Sequence, residues 1–236
     1  MTALWRYVCV AALVQLAAAC SGEETSASVE NRVAPANEIA TQAPAADAKL
    51  VLAFGDSLYA GYQLEPNQSF PAVLERTLAA QGVAARVVNA GVSGDTSAAA
   101  QQRLAFTLDG LERKPDLAIV GLGGNDALRG LSPEETRRNM DAILGELRRR
   151  EIPVLLTGMM APRNMGPDYA AAFDPIFPAL AQEYGAELYP FFLDGVITQP
   201  ELLLADGMHP NAQGIEAIVG RVAPRVSARL EADAAR

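Results

Sequence analysis

The chain holds one histidine, His209, three residues after an acid in Asp206-Gly207-Met208-His209-Pro210. Far upstream, a serine stands in Gly55-Asp56-Ser57-Leu58. Imidazole is the side chain that naturally changes charge near neutral pH, so histidine acid–base chemistry here must run through His209. A serine hydroxyl becomes a useful nucleophile when a neighbouring base takes its proton, and that base works best when a carboxylate fixes its tautomer and orientation. Ser57, His209 and Asp206 supply those three parts. Acyl transfer also needs donors aimed at the carbonyl oxygen that turns negative in the tetrahedral intermediate. The candidates are the backbone N–H of Ser57, the backbone N–H of Gly94 and the side-chain amide of Asn125. Gly94 suits the task because a backbone without Cβ can approach a ligand closely.

These residues need elements to hold them. Residues 49–54 form a short apolar run ending at Gly55, the pattern of a buried strand. Ser69, Pro71 and Gly82 bracket a helix from cap to stop. Residues 85–89 read as a second strand, 96–108 as a helix and 117–122 as a third strand ending in Gly123-Gly124. Ser132-Pro133-Glu134-Glu135 is a capping box with proline at the first helical position, and it opens a helix reaching Arg150. Residues 153–157 read as a fourth strand, 169–184 as one helix stopped by Gly185, and 187–189 as a weaker fifth strand. A last helix starts near Asn211, with Pro224 kinking or breaking it.

Strands alternating with helices predict an α/β fold, a three-layer α/β/α sandwich with a central, mainly parallel five-stranded sheet. Ligands in such sheets bind beyond the carboxyl ends of the strands. Ser57 follows the first strand, Gly94 the second and Asn125 the third, while Asp206 and His209 lie in a late loop free to fold back over that edge.

The 236 residues, 50% hydrophobic and 20% charged, suit one globular domain of moderate size. A net charge of -9 argues against nucleic acid as a partner, because phosphate binding needs clustered Lys and Arg. One histidine cannot build a zinc site with its usual partners, so metal-free catalysis without a cofactor is expected. Residues 1–19 read as an export signal, with Arg6 before an apolar stretch too short to span a membrane. Leu16-Ala17-Ala18-Ala19-Cys20-Ser21 resembles a bacterial lipoprotein signal, which implies a lipid anchor on Cys20 and a periplasmic, membrane-held protein. Residues 20–48 are poor in large apolar side chains and read as a tether, leaving 49–236 as the folded domain.

Four blocks then carry a resemblance. They are Gly55-Asp56-Ser57-Leu58-Tyr59-Ala60-Gly61-Tyr62, Asn89-Ala90-Gly91-Val92-Ser93-Gly94-Asp95-Thr96-Ser97, Gly123-Gly124-Asn125-Asp126 and Asp206-Gly207-Met208-His209-Pro210-Asn211. In that order they resemble the SGNH (GDSL) hydrolases, and the likeness is greatest to the bacterial periplasmic multifunctional acyl-CoA thioesterase, lysophospholipase and arylesterase group. The resemblance implies a flavodoxin-like hydrolase fold with Ser57 as nucleophile, Gly94 and Asn125 as oxyanion donors, and Asp206 and His209 completing the triad. It also implies that Ala127, Leu128, Arg129, Gly130 and Leu131 belong to a mobile loop covering the acyl chain. The substrates implied are small acyl esters and thioesters, lysophospholipids among them. A carbohydrate O-acetylesterase on the same fold and a non-catalytic, envelope-anchored binding module are the alternatives.

Several other features read as ordinary structure. Gly91-Val92-Ser93-Gly94-Asp95 lacks the final glycine of the Gly-x-Ser-x-Gly elbow. Asp95, Thr96 and Asp126 are expected to be local caps and turn-formers. Met159, Met160, Met165 and Met208 are expected to fill gaps in the core, with an acyl-chain wall as the minority reading. Arg148, Arg149 and Arg150 end a helix, where cations complement the dipole on a solvated face.

Overall fold

Apolar runs flanked by turn residues become strands here because both sheet faces are covered. Residues 50–54 are each at most 1% exposed, and so are residues 117–120. The computed structural model describes residues 48–234. The expected signal segment, Cys20 and the expected tether up to residue 47 lie outside the described residues. In chain order the elements are β1 (Lys49–Gly55), α1 (Ser57–Ala60), α2 (Phe70–Ala80), β2 (Ala85–Gly91), α3 (Ser97–Asp109), β3 (Leu117–Gly121), α4 (Gly124–Leu128), α5 (Pro133–Arg149), β4 (Val154–Thr157), α6 (Pro167–Phe173), α7 (Ile176–Tyr184), β5 (Glu187–Tyr189) and α8 (Ala212–Ala234).

All four strand pairings are parallel, in the order β2-β1-β3-β4-β5. After β1 the chain runs to one side for β2, then crosses back for β3, β4 and β5. The connections leaving β1 and β3 therefore diverge and open a crevice at the carboxyl edge of the sheet. Helix α2 packs against α8, while α3 packs against α5 and α5 against α7, so helical layers flank the sheet. The fold is the α/β sandwich that the alternating pattern predicts.

Two helices bear on the expectations made at their prolines. Residues 169–184 do not form one helix: α6 ends at Phe173 and α7 begins at Ile176. Pro175 lies between them, and without an N–H it cannot donate to the carbonyl of Ala171. Conversely, α8 runs through Pro224 without a break. Ile215, Ile218, Val219, Val222, Val226 and Leu230, each at most 1% exposed, hold its two halves against the domain. That buried stripe outweighs the one hydrogen bond the proline removes. The short helices α1 and α4, which carry Ser57 and Asn125, have no periodic pattern long enough to be read from sequence.

Candidate active site

Strand β1 delivers Ser57 through a tight turn. Gly55 is required there because a Cβ would come within 2.5 Å of Tyr59 Cγ and 2.8 Å of the Gly121 carbonyl. Asp56 caps α1, its Oδ1 accepting the Leu58 N–H at 3.0 Å, which places Ser57 at the first helical position. Beneath the turn, the buried Tyr59 ring stacks near Phe192, and its hydroxyl meets Thr157 Oγ1 at 2.9 Å.

Ser57 Oγ lies 2.8 Å from His209 Nε2, and His209 Nδ1 lies 2.6 Å from Asp206 Oδ2. Residues separated by about 150 positions in the chain are thus joined in one hydrogen-bonded line. Asp206 also shapes its own loop, since Oδ1 accepts the N–H groups of Met208 at 2.9 Å and His209 at 3.0 Å. The loop is closed by a bridge between Leu203 and Pro210 and by Asn211, whose amide donates to Glu201 O at 2.8 Å. Asn211 Oδ1 in turn accepts the Gly214 N–H at the start of α8. Burial opposes ionisation of Asp206, but the His209 and Met208 N–H groups and the imidazole outweigh it and hold the carboxyl below its usual range.

The expected oxyanion donors arrive from the next two strands. Gly94 adopts φ +86°, a conformation natural to glycine, and its carbonyl accepts Arg129 Nη2 at 2.8 Å. Asn125 lies in α4 after Gly123, itself at φ +99° and packed so closely that a Cβ would come 3.0 Å from Phe177 Cζ. Its Nδ2 donates to the Asp95 carbonyl at 2.9 Å and to Asp56 Oδ2 at 3.3 Å. Both partners are acceptors, which fixes the nitrogen on that side.

Asp56 is a component that sequence reasoning assigned no role. It is 2% exposed, and burial pushes its carboxyl up to about 6 against the pull of the Leu58 N–H and His209. The only local signal was its place before Ser57, which reads as a helix cap. Asp95 and Asp126 do more than form turns. Asp95 pairs with Arg103 at 2.6 Å, and the same guanidinium donates to the Gly55 carbonyl and covers the Phe54 ring. Asp126, fully buried, accepts the Ser97 N–H and hydroxyl and the Thr136 hydroxyl, tying α4 to α3 and α5. Thr96 is the expected local cap, accepting the Ala99 N–H. The arginine run is a paired surface: Arg149 and Arg150 bond Glu146, Arg150 also bonds Asp109, and Arg148 lies over the Tyr184 ring.

The methionines divide between two environments. Met159 is buried core, whereas Met160 and Met208 are about half exposed. Tyr62, Val92 and Leu128 are also exposed, and all five lie on segments after β1 to β4 or in the His209 loop. Those segments lie at the carboxyl edge of the sheet. In the segment 127–131, Ala127 is buried and the Leu131 carbonyl accepts the Tyr169 hydroxyl, while Leu128 and Arg129 face solvent. Among the described residues no group of three or more His, Cys, Asp or Glu converges as a metal site.

The chain is similar to several known proteins. Esterase TesA of Pseudomonas aeruginosa is 41% identical over 165 residues, covering 70% of this chain and 81% of that protein. Thioesterase 1/protease 1/lysophospholipase L1 of Escherichia coli K12 is 39% identical over 170 residues, covering 72% of this chain and 78% of that protein. The crystal structure of AlinE4, an SGNH-hydrolase family esterase, superposes with a TM-score of 0.68 at 52% identity, covering 78% of this chain and 97% of that one. The family model for GDSL-like lipases and acylhydrolases matches residues 53–217, and the chain belongs to that family.

Proposed function

We propose that the protein is a serine esterase that hydrolyses carboxylic ester and thioester bonds through an acyl-enzyme on Ser57. The observation that carries this reading is the unbroken line from Ser57 Oγ through His209 to Asp206, at 2.8 and 2.6 Å. Asp206 accepts a hydrogen bond from Nδ1–H and so keeps that proton on Nδ1, which leaves the Nε2 lone pair facing the Ser57 hydroxyl. As Ser57 Oγ attacks the substrate carbonyl, its proton moves to Nε2 and the carbonyl oxygen becomes an anion. The N–H groups of Ser57 and Gly94 and the amide of Asn125 are the donors we assign to that anion. The 3.3 Å contact from Asn125 to Asp56 is long, so that amide hydrogen is the more readily shared. His209 then gives the proton to the leaving alcohol or thiol, and water repeats the sequence to free the acid.

The exposed apolar side chains on the segments at the carboxyl edge support an acyl chain over a sugar as the group bound outside the catalytic line. Esters, acyl thioesters and lysophospholipids are the substrate classes we propose, in keeping with the names of the two relatives. Export, a tether over residues 20–48 and a lipid anchor on Cys20 are proposed on the sequence of the N-terminal segment. No helix among the described residues is long and apolar enough to cross a membrane.

The test is hydrolysis of p-nitrophenyl acetate and octanoate by the protein and by Ser57→Ala. Removing the nucleophile should lower kcat by about 10⁴- to 10⁶-fold. Equal rates in the two proteins would remove the esterase reading.

A further inference from the structure

The triad accounts for two edges of the His209 ring and leaves its face unexplained. That face is covered by Tyr62, with ring centroids 4.5 Å apart and planes inclined by 36°. The chain makes an unusual effort to put the tyrosine there. Helix α1 ends at Gly61 in the left-handed conformation, φ +83°, where a Cβ would come 2.7 Å from Ser69 Cβ. Gln63, which has a Cβ, also adopts a left-handed φ of 56°, a costly geometry for a residue of its type. Its side chain repays part of that by donating Nε2–H to the Tyr62 hydroxyl at 3.1 Å. The hydroxyl is thus held by Gln63 while the ring lies against the imidazole. Backbone strain of this kind persists where surrounding structure over-determines it, commonly at functional sites.

We propose that Tyr62 is a positioning residue for His209. Its face holds the imidazole in line between Asp206 and Ser57, and it favours the imidazolium that forms when the Ser57 proton reaches Nε2. An aromatic face carries negative charge density and attracts a cation within about 6 Å of its centroid. The remaining charged or titratable groups facing the ring are Asp206 on Nδ1, the Ser57 hydroxyl on Nε2, and the buried Asp56 through space. The inference rests on the reading of His209 as general base.

The direction of the effect is distinctive. If Tyr62 stabilises the cation, replacing it with leucine makes His209 harder to protonate. The acid limb of the kcat/KM profile, which needs neutral imidazole, then extends to lower pH even as the maximal rate falls. Packing damage alone lowers the rate and leaves the limb in place.

The chain has a single histidine, so histidine-labelled protein gives one imidazole signal whose titration follows His209 alone. In Tyr62→Leu the NMR midpoint and the acid limb should both move down by about 0.4 to 0.7 pH. Maximal kcat on p-nitrophenyl acetate should fall about two- to five-fold. Tyr62→Phe, which keeps the face and loses the hydroxyl, should restore both the midpoint and the rate. Tyr62 is 38% exposed, so these replacements leave the buried core intact. A midpoint that does not move in Tyr62→Leu overturns the proposal, as does a Tyr62→Phe variant as impaired as Tyr62→Leu. A midpoint that moves while the acid limb stays fixed overturns His209 as the base, and with it the role of Tyr62, while leaving the ring contact intact.

Discussion

Asp56 and Asp206 flank the same serine from different regions of the molecule. Asp56 is 2% exposed in the turn after β1, whereas Asp206 lies on the open loop before α8. Asp56 has one backbone donor, Leu58, and a long amide contact from Asn125. Asp206 has two backbone donors and the imidazole nitrogen. A carboxylate offers about four acceptor sites, and burial in the turn keeps those of Asp56 from bulk solvent. The two acids are accordingly displaced in opposite directions, Asp56 up to about 6 and Asp206 below its usual range. One residue type serves two purposes because burial and donor number, rather than identity, set its charge.

Replacing each acid with asparagine should separate them, and Asp206→Asn has the larger expected effect. The amide keeps the size of the carboxylate but presents no charge to Nδ1 and no longer enforces the tautomer that leaves Nε2 free. In a serine triad this lowers kcat by about 10⁴. Steady-state hydrolysis of p-nitrophenyl esters measures it, and a loss under tenfold would mean that Asp206 does not orient His209. The stability effect has a definite sign. A carboxyl whose folded pKa is depressed contributes stability above its ordinary titration range and loses that contribution as pH falls. The melting points of wild type and Asp206→Asn should therefore converge on acidification below about pH 4.

Asn125 bonds Asp56 and is one of the oxyanion donors we propose, so Asn125→Ala asks whether that region contributes to the chemistry at all. Loss of one oxyanion donor costs about 10²- to 10³-fold in kcat. KM should change little, because the interaction strengthens only as the oxyanion forms. An effect confined to KM would place Asn125 in ground-state binding instead.

The uneven legibility of the molecule follows the same division. The triad was readable because its chemistry is tied to residue type, and a single histidine beside an acid in Asp206-Gly207-Met208-His209 leaves few choices. Strands β1 and β3 were the most readable, because burial on both faces makes each a continuous apolar run ending in glycine, whereas the edge strands β2 and β5 carry polar residues and are only partly buried. Asp56 was not, because its burial and its contact with Asn125 arise from strands β1 and β3 meeting, across 69 positions of chain. Tyr62 closes the Gly55–Tyr62 block, yet its partner is the distant His209 ring. The two prolines differ. Pro175 carried a local signal that the helical spacing around it masked, whereas at Pro224 the buried stripe of α8 keeps the helix from breaking.

The smallest expected effect is Asp56→Asn read as a dependence of stability on pH. Burial raises the folded pKa of Asp56 from an ordinary 3.8 to about 6, so the native state resists ionising it. Its favourable contribution is complete below the ordinary value and is lost as pH climbs through about 6. Wild type therefore loses stability relative to Asp56→Asn over that window, by at most about 3 kcal/mol. The amide has its own misfit, since an Nδ2 group facing Asn125 sets donor against donor, but that penalty does not vary with pH. The informative quantity is thus the change in the melting-point difference between variant and wild type from pH 4 to pH 7. It should move in favour of the variant by several degrees, at about 2–4 °C per kcal/mol for a domain of this size. A difference that stays flat, or that moves towards wild type, would mean that the buried turn accommodates the Asp56 charge as well as the exposed loop accommodates that of Asp206, and the contrast between the two regions would disappear.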